Sequence, residues 1–214
     1  MKIKICCISS LEEAQMAVNA GADALGLVGH MPSGPGVISD TLIAQIAQQA
    51  QTPTRTFLLT SETAAQAIID HHQKVQTTTI QIVDALTTGT YQTIKSALPN
   101  TDIVQFIHVI DEESIEVALE AADQVDYLLL DSGNPNLAIK ELGGTGRTHN
   151  WAISRKIVEQ SPVPVFLAGG LRAGNVQKAI QEVQPYGLDL CSGVRTNGHL
   201  DPIKLEAFFT AART

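Results

Sequence analysis

Aromatic residues, cysteines and positive charges are all scarce in this sequence. Aromatics make up 4% of the 214 residues, and 14 lysines and arginines face 22 aspartates and glutamates, which gives a net charge of −8. A chain of this charge is not expected to bind nucleic acid nonspecifically. No apolar run approaches the roughly 20 residues of a membrane span, and the first residues enter a strand-like segment without the apolar core of a signal peptide. We therefore expect neither a nucleic-acid partner nor a membrane association.

The few cysteines and histidines do not form a metal-binding pattern. Cys6, Cys7 and Cys191 are an odd set without zinc spacing, which indicates reduced thiols in a cytoplasmic protein. The dispersed histidines show no ligand spacing, and we expect no metal. Two further histidines, His71 and His72, come near the end of a predicted helix and are expected to face solvent.

Short apolar runs alternate with helical patterns along the chain. The sequence predicts strands at 3–8, 24–28, 56–59, 78–83, 103–110, 127–130, 163–167 and 187–191. It predicts helices between Ser10 and Gly21, from 39 or 40 to 47, and at 61–72, 90–98, 111–122, 151–160, 175–183 and 202–212. Eight such units predict a closed (β/α)8 TIM barrel that forms one domain over residues 1–214. An open doubly wound sheet is the alternative, although it usually has fewer units.

The first strand carries a possible nucleophile or base. Active sites of (β/α)8 barrels lie at the C-terminal ends of the strands, where Cys6 and Cys7 are found. Side chains alternate along a strand, so Lys4 and Cys6 share one face. If Lys4 points into the barrel, its ammonium group favours the Cys6 thiolate, and Cys7 faces the helices as a small core residue. The alternative is a pair of buried, inert cysteines.

Two carboxylates occur at other strand ends. Asp131 ends a leucine-rich strand, where a carboxylate must be exposed, paired or functional. A partly desolvated aspartate can hold its proton and act as a general acid. Asp189, near the end of the eighth strand, could hydrogen-bond a loop or a substrate hydroxyl.

Glycines follow the last strands and suggest a phosphate site. Gly169-Gly170 and Ser192-Gly193 come directly after the seventh and eighth apolar runs, where many barrels bind phosphate. The loop 143–151, which contains Gly144 and Gly146, could add backbone N–H groups. Tight turns and a flexible surface loop are the alternatives.

These motifs together resemble the phosphoribosylanthranilate isomerase family. The resemblance rests on the following segments: Lys4-Ile5-Cys6, Ala20 to Gly26, Leu130-Asp131-Ser132, Gly143 to Thr148, Asn150-Trp151, Ala168 to Leu171, Asn175-Val176, and Asp189 with Ser192-Gly193-Val194. It implies an Amadori rearrangement of an N-linked ribosyl phosphate, with a small phosphorylated sugar as substrate and without metal or organic cofactor. It also implies that Cys6 is the general base and Asp131 the general acid.

The chain departs from the family pattern at three places. The loop 31–39 has no arginine, which in the family helps to hold the anthranilate carboxylate. Gln81-Ile82-Val83-Asp84 stands in place of Gln-Leu-His-Gly, and Cys7 in place of a glycine. Arg147 or Arg195 could replace the missing arginine. An isomerase of another aminated sugar phosphate and a non-catalytic phosphosugar-binding barrel therefore stay open, and the sequence predicts no oligomeric state.

Overall fold

The computed structural model describes residues 1–50, 52–133, 146 and 148–214. Its eight parallel strands each pair with the next, and the last pairs with the first, which closes the barrel. The strands are β1 (Lys2–Ile5), β2 (Ala24–Val28), β3 (Arg55–Thr60), β4 (Thr79–Ile82), β5 (Asp102–His108), β6 (Tyr127–Asp131), β7 (Val165–Leu167) and β8 (Gly187–Leu190). The predicted (β/α)8 barrel is confirmed, and the open sheet is not formed.

One helix follows each strand. The helices are α1 (Leu11–Ala20), α2 (Asp40–Gln49), α3 (Ala65–Val75), α4 (Tyr91–Ala97), α5 (Glu113–Ala122), α6 (Trp151–Gln160), α7 (Val176–Val183) and α8 (Pro202–Arg213). None of the helices in the described ranges is long and apolar enough to cross a membrane.

Side-chain caps fix where several helices begin. The Ser10 hydroxyl accepts a hydrogen bond from the backbone N–H of Glu13, as expected for an N-cap. Asn150 caps α6 in the same way, since its Oδ1 accepts from the N–H of Ala152. The bounds of α6, Trp151–Gln160, agree with the predicted helix over 151–160.

Apolar side chains cover both faces of the barrel wall, in one layer outside it and one layer inside it. Residues that point outward from the strands, such as Ile3, Ile5 and Leu58, pack against the helices. Inward residues such as Phe57, Val104 and Leu129 fill the barrel below its C-terminal end. The alternation along each strand assigns side chains to one layer or the other.

The prediction that His71 and His72 face solvent is wrong. Helix α3 continues to Val75, so His72 falls on its buried face, and its Nε2 lies 2.7 Å from the carbonyl oxygen of Thr77. The His71 side chain is 12% exposed and lies between Asp40 and Thr60. Both rings therefore belong to the packing between α3 and its neighbours.

A short hairpin that was not predicted lies between β8 and α8. Strands β9 (Arg195–Thr196) and β10 (His199–Leu200) pair in antiparallel fashion. Asn197 and Gly198, at the turn, both have positive φ, 50° and 82°. This backbone suits a two-residue hairpin loop with the Asn-Gly sequence.

Candidate active site

A cavity at the C-terminal end of the barrel, the central cavity, brings together the residues selected from the sequence. Its lining includes Cys6, Asp131, Gly146, Gly169, Gly170, Asp189, Ser192 and Gly193. Gly144 and Arg147 lie outside the described residues. The first and last strands and three of the loops thus meet at one place, as the barrel prediction requires.

Lys4 and Asp189 form an ion pair inside the barrel. The Nζ of Lys4 lies 2.9 Å from Oδ1 of Asp189, and the two side chains are 0% and 8% exposed. Burial alone would lower the pKa of Lys4, but the Asp189 carboxylate and the neighbouring Cys6 outweigh it and raise the pKa. Lys4 therefore points into the barrel as a cation, and Asp189 presents a fixed carboxylate to the cavity.

Cys6 lies next to this ion pair. A Cβ atom placed on Gly26 of β2 would lie 2.7 Å from the Cys6 sulfur and 3.1 Å from the Lys4 nitrogen. Both side chains therefore occupy the space above Gly26, which only a glycine leaves open. The thiol of Cys6 and the ammonium of Lys4 are close, as the alternation along β1 predicts.

Cys7 does not face the helices, so the sequence prediction for it is wrong. The first strand ends at Ile5, and Cys7 has a φ of 60°, which ends the alternation of side chains. Cys7 lines the central cavity together with Cys6 and packs against Gly36, where an added Cβ would lie 2.5 Å from the Cys7 Cβ. The sulfur of Cys7 contacts Cys191, a cavity residue that sequence reasoning did not select although it follows β8 directly.

Asp131 lies across the cavity from Cys6. It ends β6, which is three strands away from β1 around the barrel, and its side chain is buried. Its Oδ1 accepts hydrogen bonds from the backbone N–H and the hydroxyl of Ser132, at 2.6 and 3.2 Å. A carboxyl group and a thiol thus line the same cavity from different sides.

The loops after β7 and β8 are in direct contact. Gly169 and Gly170 have φ values of 83° and 61°, a region that glycine adopts without strain. An added Cβ on Gly193 would lie 1.9 Å from the carbonyl oxygen of Leu171, so the two loops can approach only because residue 193 has no side chain. Gly146 approaches Ser192 in the same region, at 3.2 Å from its Oγ for an added Cβ. Gly146 and the loops after β7 and β8 thus form one wall of the cavity.

The opposite wall is mostly apolar, with Gln81 of β4 and Ser33 of the loop after β2 as its polar side chains. Its apolar side chains come from β2, β3, β5, the loop after β2 and the residue after β4, namely Val28, Met31, Leu59, Val83 and Phe106. No lysine or arginine lines the cavity among the described residues. The missing arginine of the loop 31–39 is therefore not replaced by any basic residue in this part of the chain.

Arg195 has a different position from the one that a substrate-binding arginine would need. Its guanidinium donates to both carboxylate oxygens of Glu13 at 3.0 Å, and to the carbonyl oxygens of Cys6 and Cys7 at 3.3 and 2.5 Å. Burial would lower the pKa of Arg195, but the Glu13 carboxylate outweighs it and raises the pKa. Arg195 therefore holds the backbone beside the cavity and does not replace the missing arginine.

A family model supplies the identification. The model for N-(5'-phosphoribosyl)anthranilate (PRA) isomerase matches residues 3–211, almost the entire chain. The chain belongs to this family. The match includes the strand ends that carry Cys6 and Asp131, and both glycine-bearing loops after β7 and β8.

Named relatives and solved structures that are similar to this chain are isomerases of the same family. The N-(5'-phosphoribosyl)anthranilate isomerase 2 of Methanosarcina mazei is 35% identical over 215 residues, which cover 100% of this chain and 94% of that protein. The solved structure of the isomerase from Pyrococcus furiosus is 27% identical, with a TM-score of 0.80, and covers 100% of this chain and 98% of its own. The structure of the Thermotoga maritima isomerase gives 25% identity and a TM-score of 0.81 at the same coverage. The (β/α)8 barrel is thus the fold of the family.

Proposed function

We propose that this protein catalyses the Amadori rearrangement of N-(5-phosphoribosyl)anthranilate to its 1-deoxyribulose 5-phosphate product in tryptophan biosynthesis. The observation that carries the proposal is the family match over residues 3–211 in a chain whose Cys6 and Asp131 line one cavity. The full-length similarity to named isomerases favours this substrate over other aminated sugar phosphates and over a binding protein without activity.

The reaction requires two proton transfers, and we assign one to each residue. Asp131 as the general acid gives its proton to the furanose ring oxygen, the C1–O bond breaks, and an iminium ion forms between C1 and the anthranilate nitrogen. Cys6 as a thiolate then removes the proton from C2, and the electrons of that C–H bond form the enolamine. Tautomerisation gives the aminoketose. The electron pair of the C2–H bond ends in the new C1–H bond, so C2 is oxidised while C1 is reduced and no external redox partner is needed.

The remaining cavity residues suit the rest of the substrate. We assign the phosphate group to the backbone around Gly169, Gly170, Ser192 and Gly193, where two contacting loops can direct N–H groups at one anion. Lys4 holds Asp189, and the Asp189 carboxylate can accept a hydrogen bond from a sugar hydroxyl. The apolar wall opposite is suited to an aromatic ring.

The anthranilate carboxylate of the proposed substrate is negatively charged and needs a binding partner in this protein. In the described part of the cavity no cation faces the apolar wall, so the carboxylate has no ionic partner there. Arg147, beyond the described residues, is the remaining candidate from the sequence. An Arg147→Met variant should raise KM for the substrate without lowering affinity for inorganic phosphate, if Arg147 has this role.

Genetic complementation tests the proposal directly. Expression of the chain in a tryptophan auxotroph that lacks this isomerase should restore growth without tryptophan, and the purified protein should convert the substrate without added metal or organic cofactor. A Cys6→Ser, Asp131→Asn double variant is the control for background activity. Failure of the wild-type chain to restore growth, with soluble expression verified, would contradict the proposal.

We also infer that the protein acts on its small phosphorylated substrate in the cytoplasm, as a single domain over residues 1–214. Support for the compartment comes from three cysteines that are all free.

A further inference from the structure

The amide of Gln81 is buried without a hydrogen-bond partner. Gln81 lies on β4 and is 0% exposed, and neither its Nε2 nor its Oε1 has a partner within the described chain. Buried polar groups are nearly always paired, because each unpaired group costs about 1–3 kcal/mol of desolvation. An amide with both of its polar atoms unpaired therefore calls for an explanation outside the protein's own contacts.

The neighbours of Gln81 cannot satisfy its amide. Its partners in the strand register are Leu59 on β3 and Val104 on β5, and both have apolar side chains. Val83, two residues further along the chain, lines the same cavity. None of these three side chains can donate or accept a hydrogen bond.

A second buried glutamine, Gln105, has hydrogen-bond partners within the protein for both polar atoms of its amide. Gln105 on β5 is 5% exposed, and its Oε1 accepts a hydrogen bond from the Tyr91 hydroxyl at 2.8 Å. Its Nε2 donates to the carbonyl oxygens of Phe106 and Asp84, at 3.0 and 3.4 Å. Gln105 does not line the central cavity, whereas Gln81 does. The glutamine without partners is the one that lines the same cavity as the candidate acid and base.

We propose that Gln81 is a substrate-binding residue whose amide hydrogen-bonds a hydroxyl of the substrate's sugar chain. A primary amide has a donor and an acceptor side by side, and a hydroxyl offers both complements. The strand β4 is opposite β8 in the ring of eight, so Gln81 lies on the far side of the cavity from the glycine-bearing loops. The group it binds is therefore separated from the phosphate. The sugar as ligand rests on the proposed function, and the role for Gln81 does not require turnover.

The experiment compares Gln81→Leu with Gln105→Leu. Leucine removes the amide at similar volume, so Gln81→Leu should keep or raise the melting temperature, since it removes an unpaired buried group. Gln105→Leu should lower it, because Tyr91 and two carbonyl groups lose their partner. This difference in stability separates an amide that serves a ligand from one that serves the fold.

Ligand affinity gives the second measurement. Kd for ribose 5-phosphate and for inorganic phosphate is measured by calorimetry on the wild type and both variants. The wild type should bind the sugar phosphate more tightly than phosphate alone, and Gln81→Leu should lose about tenfold in sugar-phosphate affinity with phosphate affinity unchanged. Gln105→Leu should keep both affinities. With the full substrate, Gln81→Leu should lower kcat/KM by a similar factor.

Three results would overturn this role. One is unchanged ribose 5-phosphate affinity in Gln81→Leu, and another is a wild type that binds the sugar phosphate no better than phosphate. The third is a melting temperature of Gln81→Leu that falls as far as that of Gln105→Leu. Absence of isomerase activity in the wild type would instead refute the proposed function, and the two affinities would still decide the role of Gln81.

Discussion

The sulfur atoms of Cys7 and Cys191 lie 2.8 Å apart at the edge of the central cavity. The hydrogen-bond contact between the two sulfurs lowers the pKa of Cys191, and the positive charges of Arg195 and Lys4 act in the same direction. The pKa of Cys7 is raised well above its usual value, and the contact with Cys191 is the largest cause. The two thiols therefore differ in character, and Cys191 is also the more exposed.

Limited alkylation with iodoacetamide should label Cys191 before Cys7, because the thiolate is the reactive form. Peptide mass spectrometry after a substoichiometric dose gives the order. Replacing Cys7 by alanine removes the hydrogen bond and should slow the labelling of Cys191 at pH 7. Labelling of Cys7 before Cys191 would show that exposure and pKa do not set reactivity here.

Cys6→Ser and Asp131→Asn should each lower kcat by about 10²–10⁴-fold, because each removes one positioned proton transfer. Both substitutions nearly preserve volume, so circular dichroism melting curves should change little. The neighbouring thiol is the matched control: Cys7→Ser alters the same cavity and should retain most of the activity. If Cys7→Ser abolishes turnover and Cys6→Ser does not, the assignment of the base is wrong.

Arg195→Met should destabilise the fold by roughly 3–5 kcal/mol, since it leaves the Glu13 carboxylate buried without its cation. Glu13 is 7% exposed and also accepts from the N–H groups of Ser9 and Leu200. Urea unfolding measures the loss. Arg155→Met removes an exposed helix pair with Glu159 and should change stability by less than about 0.5 kcal/mol. Equal effects of the two substitutions would refute the special role of the buried pair.

Stability should fall as the pH is lowered from about 6.5 to about 4, and His149 should account for part of the loss. Burial lowers the pKa of His149 from 6.5 to about 4, and its Nε2 lies 2.6 Å from the Ser154 hydroxyl. Below pH 6.5 the imidazole is protonated in the unfolded chain, whereas in the folded state it stays neutral until about pH 4. The free energy of unfolding therefore falls by up to roughly 3 kcal/mol over this range. Urea unfolding at pH 7 and pH 5 should show a smaller pH effect in His149→Gln. An identical pH effect in the variant would exclude His149 as the cause.

Gly193→Ala should raise the Kd for inorganic phosphate by at least about tenfold. The new methyl group would clash with the Leu171 carbonyl oxygen and push the loops after β7 and β8 apart. Gly174 is the matched control, because the nearest atom to its added Cβ is 4.0 Å away, on Arg172. Gly174→Ala should bind phosphate like the wild type. Unchanged binding in Gly193→Ala would remove the phosphate site from these loops.

The alternation of strands and helices can be predicted because many elements carry a local signal, such as the Ser10 cap before α1. The prediction for Cys7 is wrong because β1 ends at Ile5 and the alternation of side chains does not extend beyond it. The sequence does contain a signal, since Cys7 occupies a position where the family has glycine, and glycine often marks a positive φ. Asn197-Gly198 is likewise a sequence signal for the hairpin of β9 and β10.

Other features could not be read from the sequence, because they depend on contacts between distant parts of the chain. Arg195 meets Glu13 across 182 positions, and nothing in the local sequence distinguishes it from an arginine that binds substrate. The unpaired amide of Gln81 is visible only when the side chains on β3 and β5 are placed beside it. Local patterns gave the scaffold and the strand ends, whereas the partners of each buried polar group required the structure.

The pairing of β1 with β8 has a consequence for the chain during its synthesis. Until Leu190 has been added, β1 and β7 both present unpaired backbone edges, which in other proteins invite aggregation. Lys4 has no counterion until Asp189 has been added. The hydrogen bond from Arg195 to the carbonyl oxygen of Cys6 forms later still. A ribosome-bound chain of about 185 residues thus already contains the proposed acid and base but cannot fix their positions. A premature stop codon before the codon for Asp189 should therefore leave no residual activity.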